Sequence, residues 1–360
     1  MRVVKVLVIN PGSTSTKISI FEDEGELLSR RIDHPAKELE KFDRLIEQLE
    51  YRKNAIIKAV EGAGFKIDDF DAIACRGGIL PPLSGGTYVV NEEMVNYLIH
   101  ESPVEHASNL AAVIGYELAK EKDIPVLITD PISVDEMIPE AKLSGIPDIE
   151  RKSYGHYLNM KAVARQIAKE KFGKKYEELN FVVVHLGGGI SVAAHRKGKV
   201  IDINNANDEG PFSPERTGEL PVGDLAKMAF SGKFTKRELK KRYVGKGGLV
   251  AYLGTNDLRE AMRRAEEGDE KAKLVIDAMA YQIAKEIVGM MAVLKGEVDA
   301  IILTGGMAHN ERFVEMIRNY VERYAPVYVV AGEFEMLALA QGALRVLWGE
   351  EQAKQWKKEG

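Results

Sequence analysis

The chain has little of what marks several classes of protein. Its 360 residues contain one cysteine, Cys75, so no disulfide can form within the chain and a cytoplasmic location is expected. The net charge is −5 and no basic run stands out, which argues against a nucleic-acid partner. Lys5 interrupts the apolar N-terminal stretch and no window approaches a membrane span, so neither a signal peptide nor a membrane anchor is expected.

Structural zinc is also disfavoured. The seven histidines form no His-x₃-His pair, and the lone cysteine has no partner with which to complete a metal site. What remains is the composition of a soluble globular protein, 45% hydrophobic and 29% charged, at a length that predicts about two domains. Strand-like runs alternate with helical ones, which favours an α/β fold.

The same order of predicted strands and turns occurs twice along the chain. Residues 3–35 and residues 181–205 each read as an apolar strand, a glycine turn, a second strand, a tight turn and a third strand. A concave row of backbone N–H groups at such a turn binds phosphate, so the repetition favours two related lobes that grip one phosphorylated ligand. Two unrelated hairpins are the alternative. The stretch 206–255, rich in Gly and Pro, is expected to be a long irregular loop region with a functional role.

The first glycine turn, NPGSTSTK at residues 10–17, is the richest phosphate candidate. Strand alternation puts Ser13, Ser15 and Lys17 on one face, which would present two hydroxyls and an ammonium to a polyphosphate. The spacing is not that of a Walker A loop. A solvated hairpin is the plain alternative.

Two further glycine turns follow apolar strands, at Gly187–Gly189 and at Gly305–Gly306. Three consecutive glycines cost chain entropy, so close approach of the backbone to a ligand explains them better than a tight turn does.

Two arginines stand in places where a guanidinium group can recognise a carboxylate or a phosphate. Arg76 directly precedes a glycine pair, and Arg216 lies within PFSPERTGELP. For Arg216 a salt bridge with a neighbouring glutamate is the alternative.

Two carboxylates occupy positions suited to Mg²⁺ or its waters. Asp130 ends the strand PVLITD, and Glu335 begins the last helix, where an ordinary first-turn acid is the alternative. Among the histidines, His156 precedes a helix, where capping is the alternative to a functional role. His185 immediately precedes the triple-glycine turn.

Taken together, these segments resemble the acetate kinase-like family of carboxylate kinases, nearly end to end and in the family's order. The segments that carry the resemblance are VLVINPGSTSTK, DAIACRGG, EHASNL, HLGGGIS, PERTG, NDLRE and LTGGMAHNE. The resemblance implies a duplicated actin-like, ribonuclease H-like α/β fold of two lobes, with mixed sheets flanked by helices and the active site in the cleft between them. The implied lobes are 1–152 with 336–360, on the carboxylate and phosphate side, and 153–335, on the nucleotide side.

The resemblance also implies a reaction and a set of roles. ATP and a short-chain carboxylate would give ADP and an acyl phosphate, reversibly, with Mg²⁺ as cofactor and a homo-oligomer as the assembly. Butyrate is the expected acid and isobutyrate the branched one; an acetate or propionate kinase is the close alternative, and an actin-like ATPase switch or chaperone the distant one.

The implied catalytic residues are Arg76, Asp130, His156, Arg216 and Glu335. The implied metal ligands are Asn10, Asp130 and Glu335. The implied ATP-binding residues are Asn10, Ser13, Ser15, Lys17, His185, Gly187, Gly188, Gly189, Asp257, Gly305 and Gly306.

Overall fold

The computed structural model describes residues 2–358. The strands, in chain order, are β1 (Lys5–Pro11), β2 (Ser15–Glu22), β3 (Gly25–Asp33), β4 (Ala72–Cys75), β5 (Thr87–Val89), β6 (Val126–Thr129), β7 (Asn180–Leu186), β8 (Ile190–Arg196), β9 (Lys199–Ile203), β10 (Ala300–Gly305), β11 (Val327–Ala331) and β12 (Lys354–Gln355). The α-helices are α1 (Ala36–Leu39), α2 (Leu49–Glu61), α3 (Glu92–His100), α4 (Asn109–Ala119), α5 (Pro139–Lys142), α6 (Tyr157–Ile167), α7 (Val222–Ala229), α8 (Lys236–Tyr243), α9 (Gly248–Leu253), α10 (Leu258–Glu266), α11 (Glu270–Val293), α12 (Glu311–Val321) and α13 (Glu335–Leu347). None of the described helices is both long and apolar enough to cross a membrane.

The chain forms two compact units. The first runs to Asp135 and resumes at Phe334, and the second is Glu136–Glu333. These limits differ from the expected lobe boundaries, because the stretch that follows Asp135 packs with the second unit and α13 begins within the first. The assignment of a carboxylate side and a nucleotide side stays a prediction.

The first unit contains a seven-stranded sheet in the order β12-β5-β6-β4-β1-β2-β3. Strands β1, β4 and β6 are parallel neighbours, and their side chains are buried on both faces. Helix α4 packs on one face and α13 on the other, and both approach closely through glycines. A Cβ on Gly115 of α4 would lie 2.5 Å from Cys75 Sγ, and one on Gly342 of α13 would lie 2.0 Å from Thr129 Oγ1.

The second unit contains a five-stranded sheet in the order β11-β10-β7-β8-β9. Strands β7, β10 and β11 are parallel, whereas β7, β8 and β9 form an antiparallel meander. Helix α6 packs against β7 and β10, and α11 packs against β7, β8 and β9. The long apolar stripe of α11 lies in this core, with Ile283 and Ile287 fully buried.

The predicted repetition is present in both sheets. The strands β1-β2-β3 and β7-β8-β9 are both antiparallel meanders, and in each the pairing of the last two strands shifts register once. The expectation of an irregular stretch over 206–255 was wrong in part, because α7, α8 and α9 lie within it. Most Gly and Pro residues of this stretch fall between these short helices, and Gly223 and Gly248 lie within α7 and α9, so the helical periodicity is weak in the sequence.

Candidate active site

In the first unit, three predicted residues meet at one edge of the sheet. Asn10 lies near the end of β1, and Arg76 and Asp130 directly follow β4 and β6. The register pairs Ile9 with Cys75 and Cys75 with Ile128, so the carboxyl ends of the three strands are level. Parallel strands place the groups that follow them along one edge, which is where open α/β sheets bind ligands.

Helix α13 brings a carboxylate to two of these residues. Asn10 Nδ2 donates a 2.9 Å hydrogen bond to Glu335 Oε2, and Arg76 Nη1 lies 3.2 Å from Glu335 Oε1. Glu335 is the first residue of α13, which packs on β1, β4 and β6. An amide, a guanidinium and a carboxylate therefore lie in contact, although 325 residues separate Asn10 from Glu335.

Asp130 is held in an uncommon backbone conformation. Its side chain is buried, its φ is +39°, and Oδ1 accepts a 2.8 Å hydrogen bond from the Gly86 N–H. The Asp130 N–H in turn donates to the Gly86 carbonyl at 3.1 Å. Left-handed backbone is costly for a residue with a Cβ, and such strain persists only where the surroundings fix it. These reciprocal bonds fix the carboxylate at the end of β6.

The turn between β1 and β2 has the alternation expected from its sequence. Ser13 and Lys17 are exposed and Ser15 is partly exposed, whereas Thr16 is fully buried and its Oγ1 lies 2.8 Å from His34 Nε2. The two serine hydroxyls and the ammonium are thus accessible to a ligand.

In the second unit, two predicted histidines form a stacked pair. The rings of His156 and His185 are 3.9 Å apart and nearly parallel, at 9°. His156 does not cap α6; its Nδ1 instead lies 2.9 Å from Ser191 Oγ.

The contacts of His185 assign its tautomer. Asn159 Nδ2 donates to His185 Nδ1 at 3.0 Å, so the neutral ring carries its proton on Nε2. That nitrogen lies 3.8 Å from Glu333 Oε1, and a Cβ on Gly187 would be 3.1 Å from it. The ring therefore directs an N–H donor to the start of the glycine turn.

Arg216 lies against the same turn. A Cβ on Gly189 would be 2.2 Å from Arg216 Nη1, so only glycine admits the guanidinium here. Nη1 donates to the Ala206 carbonyl at 2.7 Å, and Ser213 links the two segments by donating to the Gly188 carbonyl at 2.6 Å and accepting from the Arg216 N–H at 3.2 Å. Burial lowers the pKa of Arg216, with the charge of Glu215 opposing that effect. No salt bridge explains this arginine within the described residues.

A cavity of about 800 Å³ opens beside the triple-glycine turn, within the size range of small-molecule sites. The lining residues are Gly187, Gly188, Pro214, Glu215, Asn256, Asp257, Leu258, Arg259, Gly306, Met307, His309, Asn310 and Glu333. Gly305 does not line it. Its φ is +91° and a Cβ there would lie 2.4 Å from the Leu186 carbonyl oxygen, so this glycine serves the turn geometry.

Asp257 lies at the cavity as the N-cap of α10. Its Oδ1 accepts from the Arg259 N–H at 2.9 Å, and its Oδ2 accepts from Arg259 Nη2 at 2.7 Å. These hydrogen bonds to Arg259 lower the pKa of the Asp257 carboxyl, so it is ionised at neutral pH.

Sequence reasoning missed several groups beside these residues. Glu215, Asn256 and Glu333 line the cavity, and Asn256 Nδ2 donates to Glu215 Oε1 at 2.7 Å. His106, in the first unit, has its pKa lowered by burial and by the charge of Arg76. His106, Glu215 and Asn256 lie within EHASNL, PERTG and NDLRE, and Glu333 lies two residues before Glu335, so their proximity in sequence to the predicted residues was the available signal.

Both units contain a mixed sheet that includes an antiparallel three-stranded meander, and the solved structures of an acetate kinase and a propionate kinase share this α/β fold. Residues 86–337 match the acetokinase family. The chain belongs to this family, and the predictions of fold class and of a kinase are confirmed.

Two relatives and one solved structure illustrate the likeness. A probable butyrate kinase of Thermotoga petrophila is 58% identical over 353 residues, which cover 98% of both chains. Butyrate kinase 2 of Clostridium acetobutylicum is 51% identical over 354 residues, covering 98% of this chain and 99% of that protein. The acetate kinase of Porphyromonas gingivalis shares the fold with a TM-score of 0.76 at 19% identity, over 96% of this chain and all of that one.

Proposed function

We propose that the protein transfers a phosphoryl group between ATP and a short-chain carboxylate, butyrate, to form butyryl phosphate, and catalyses the reverse reaction. The observation that supports a carboxylate as the substrate concerns Arg76. Its Nη1 is buried and, among residues 2–358, makes no hydrogen bond, although it lies 3.2 Å from Glu335 Oε1. Nη1 is therefore ion-paired with Glu335 but makes no aligned hydrogen bond; a buried donor without an aligned acceptor is costly, and an oxygen of the substrate carboxylate would satisfy it. The names of the Thermotoga and Clostridium relatives support four carbons as the acyl length.

The substrate carboxylate needs no general base. Short carboxylic acids are ionised at neutral pH, so the oxygen nucleophile already exists. The work of the protein is then to orient the nucleophile and to neutralise charge on the transferring group. Arg76 would orient the acid, and Arg216, His156 and His185 would donate hydrogen bonds or positive charge to the phosphoryl oxygens.

The oxygen donors of the first unit fit Mg²⁺. Within residues 2–358 no three acidic, histidine or cysteine side chains come together as a metal cage. Mg²⁺ does not need one, because it commonly takes one or two carboxylates and completes its shell with water and substrate phosphates. Asn10 and Glu335, in mutual contact, and Asp130 would supply the protein oxygens, and Mg²⁺ would neutralise phosphate charge.

ATP would occupy the cavity of the second unit. Gly187, Gly188 and Gly306 line it without side chains, so backbone N–H groups can approach phosphates. The serine and lysine side chains of the β1–β2 turn would serve the phosphates as well. Asp257 would accept from nucleotide hydroxyls or amines.

The proposal also includes the cellular location and the oligomeric assembly of the enzyme. We place it in the cytoplasm, on the single buried cysteine and the absence of membrane-spanning helices among the described residues. A homo-oligomer is supported by apolar side chains exposed on neighbouring helices, with Leu274 68%, Tyr281 50% and Tyr320 50% exposed.

Carboxylate-dependent ADP release tests the proposal. With Mg-ATP, ADP should form only when butyrate is added, and Arg76→Lys should raise the KM for butyrate about tenfold or more, because lysine cannot replace a planar guanidinium. Arg31→Lys, at an exposed arginine paired with Asp33, is the matched control and should leave KM unchanged. ADP release that ignores butyrate would contradict the proposal and favour an ATPase switch.

A further inference from the structure

A fully buried arginine lies beneath the β1–β2 turn. Arg52, on α2, is 0% exposed. Its Nη1 and Nη2 each donate a 2.8 Å hydrogen bond to the turn, to the carbonyls of Gly12 and Ser13, and Nη1 also lies 3.3 Å from the Ser15 carbonyl and from Thr16 Oγ1. Its Nε donates to Gln48 Oε1 at 3.0 Å, which fixes the side chain against the residue that precedes α2.

None of these acceptors is charged. Elsewhere the protein pairs a buried cation with a carboxylate, as in the 2.8 Å contact of Lys161 with Glu136. Among residues 2–358 Arg52 forms no ion pair, and burial lowers its pKa. The guanidinium stays protonated at neutral pH because its pKa starts so high. A positive charge therefore remains below the turn, and no opposite charge offsets the free-energy cost of removing it from water.

The hydrogen bonds of Arg52 also set the direction of the turn's peptide groups. In a trans peptide the C=O and the following N–H point in opposite directions. Because the carbonyls of Gly12 and Ser13 point to Arg52, the N–H groups of Ser13 and Thr14 point away from it. Ser13 and Thr14 are exposed, so these two N–H groups belong to the solvent side of the turn. Successive N–H groups facing one way form an anion site.

We propose that Arg52 is a positioning residue that builds this anion site, for a phosphoryl group, by holding the carbonyls of the turn inward and placing its uncompensated charge beneath it. The inference deepens the proposed function and rests on it, since the anion would be a phosphoryl group of ATP or of butyryl phosphate. Arg52 itself touches no substrate; it acts through the turn.

The test measures KM separately for each substrate. Arg52→Gln should raise the KM for butyryl phosphate about tenfold or more, the effect of losing charge-assisted hydrogen bonds, while the KM for butyrate changes less than twofold. Arg52→Lys, which keeps the charge and loses the fork of donors, should lie between wild type and Arg52→Gln. Arg30→Gln is the matched control: Arg30 Nη1 donates to a carbonyl of the same helix, Ala59, at 3.3 Å but does not touch the turn.

The outcomes separate the inference from the function on which it rests. If the role of Arg52 were purely structural, its replacement would lower the melting temperature and the amount of active enzyme and leave each KM unchanged. That result for Arg52→Gln overturns the inference. If Arg52→Gln does not fold, the same result for Arg52→Lys overturns it. Thermal stabilisation by butyryl phosphate gives a readout without turnover, and it should be smaller for Arg52→Lys than for Arg30→Gln. A wild-type enzyme that phosphorylates no carboxylate would instead refute the proposed function.

Discussion

Replacement of Gly189 by alanine should displace the Arg216 guanidinium without disturbing the backbone. The φ of Gly189 is outside the left-handed region, so alanine can adopt this conformation. The new methyl group would lie 2.2 Å from Nη1 and 2.5 Å from Cζ of Arg216, whereas carbon contacts are favourable near 3.5–4.0 Å. The guanidinium must therefore move by more than about 1 Å, which also breaks its hydrogen bond to the Ala206 carbonyl. Misplacement of a catalytic group by about 1 Å costs roughly 10²-fold in rate.

A glycine away from the site gives a matched control. A Cβ on Gly145, in an exposed loop, would meet nothing within 4 Å, so Gly145→Ala should leave kcat within about threefold. The assay is acyl hydroxamate formation with saturating Mg-ATP and butyrate, with melting temperature as the check on folding. If Gly189→Ala keeps wild-type kcat, the placement of Arg216 against this turn has no catalytic role and the reasoning is refuted.

Three further predictions test the chemistry and the folding separately. Arg216→Ala should lower kcat by about 10³-fold or more in the hydroxamate assay, as loss of an arginine finger does, and a loss below tenfold in folded protein would reject that role. Lys161→Met should lower the free energy of unfolding by about 3–5 kcal/mol in urea titrations, because it leaves the Glu136 carboxylate buried without its cation; an unchanged midpoint would contradict this. Burial, and the charge of Arg52, lower the pKa of His34 to about 4 from 6.5, so the unfolded chain binds a proton here before the folded one. The free energy of unfolding should fall as pH drops from 6.5 to 4, less steeply in His34→Gln; equal slopes would show that His34 does not carry the effect.

The polar residues at the edge of the first sheet could be predicted because they stand at the ends of apolar strands. Asn10, Arg76 and Asp130 each stand where an apolar run stops, and parallel pairing makes such positions neighbours. Glu335 required more, since only the packing of α13 brings it to Asn10. Its place at the start of the last helix made Glu335 a candidate and the family resemblance implied its role, but its contact with Asn10 could not be predicted from local pattern.

Arg52 could not be found from sequence, and the reason is physical. It stands in an ordinary amphipathic helix, and its partners in the turn are backbone carbonyls about forty residues earlier. Carbonyl acceptors leave no mark in the side-chain pattern. The position of Glu215 at the cavity could not be predicted either, although Glu215 adjoins Arg216 in PERTG, because that position depends on the fold of the 206–255 region, where short helices carry no strong periodic signal.

The most direct test of the central claim is acyl phosphate formation, trapped as hydroxamate, with Mg-ATP and acetate, propionate, butyrate or isobutyrate. The account predicts product with short carboxylates and a kcat/KM maximum at four carbons. A maximum at acetate would contradict the assigned acyl length but would leave the proposed mechanism unchanged. ATP hydrolysis without acyl phosphate from any of the four acids would contradict the account as a whole.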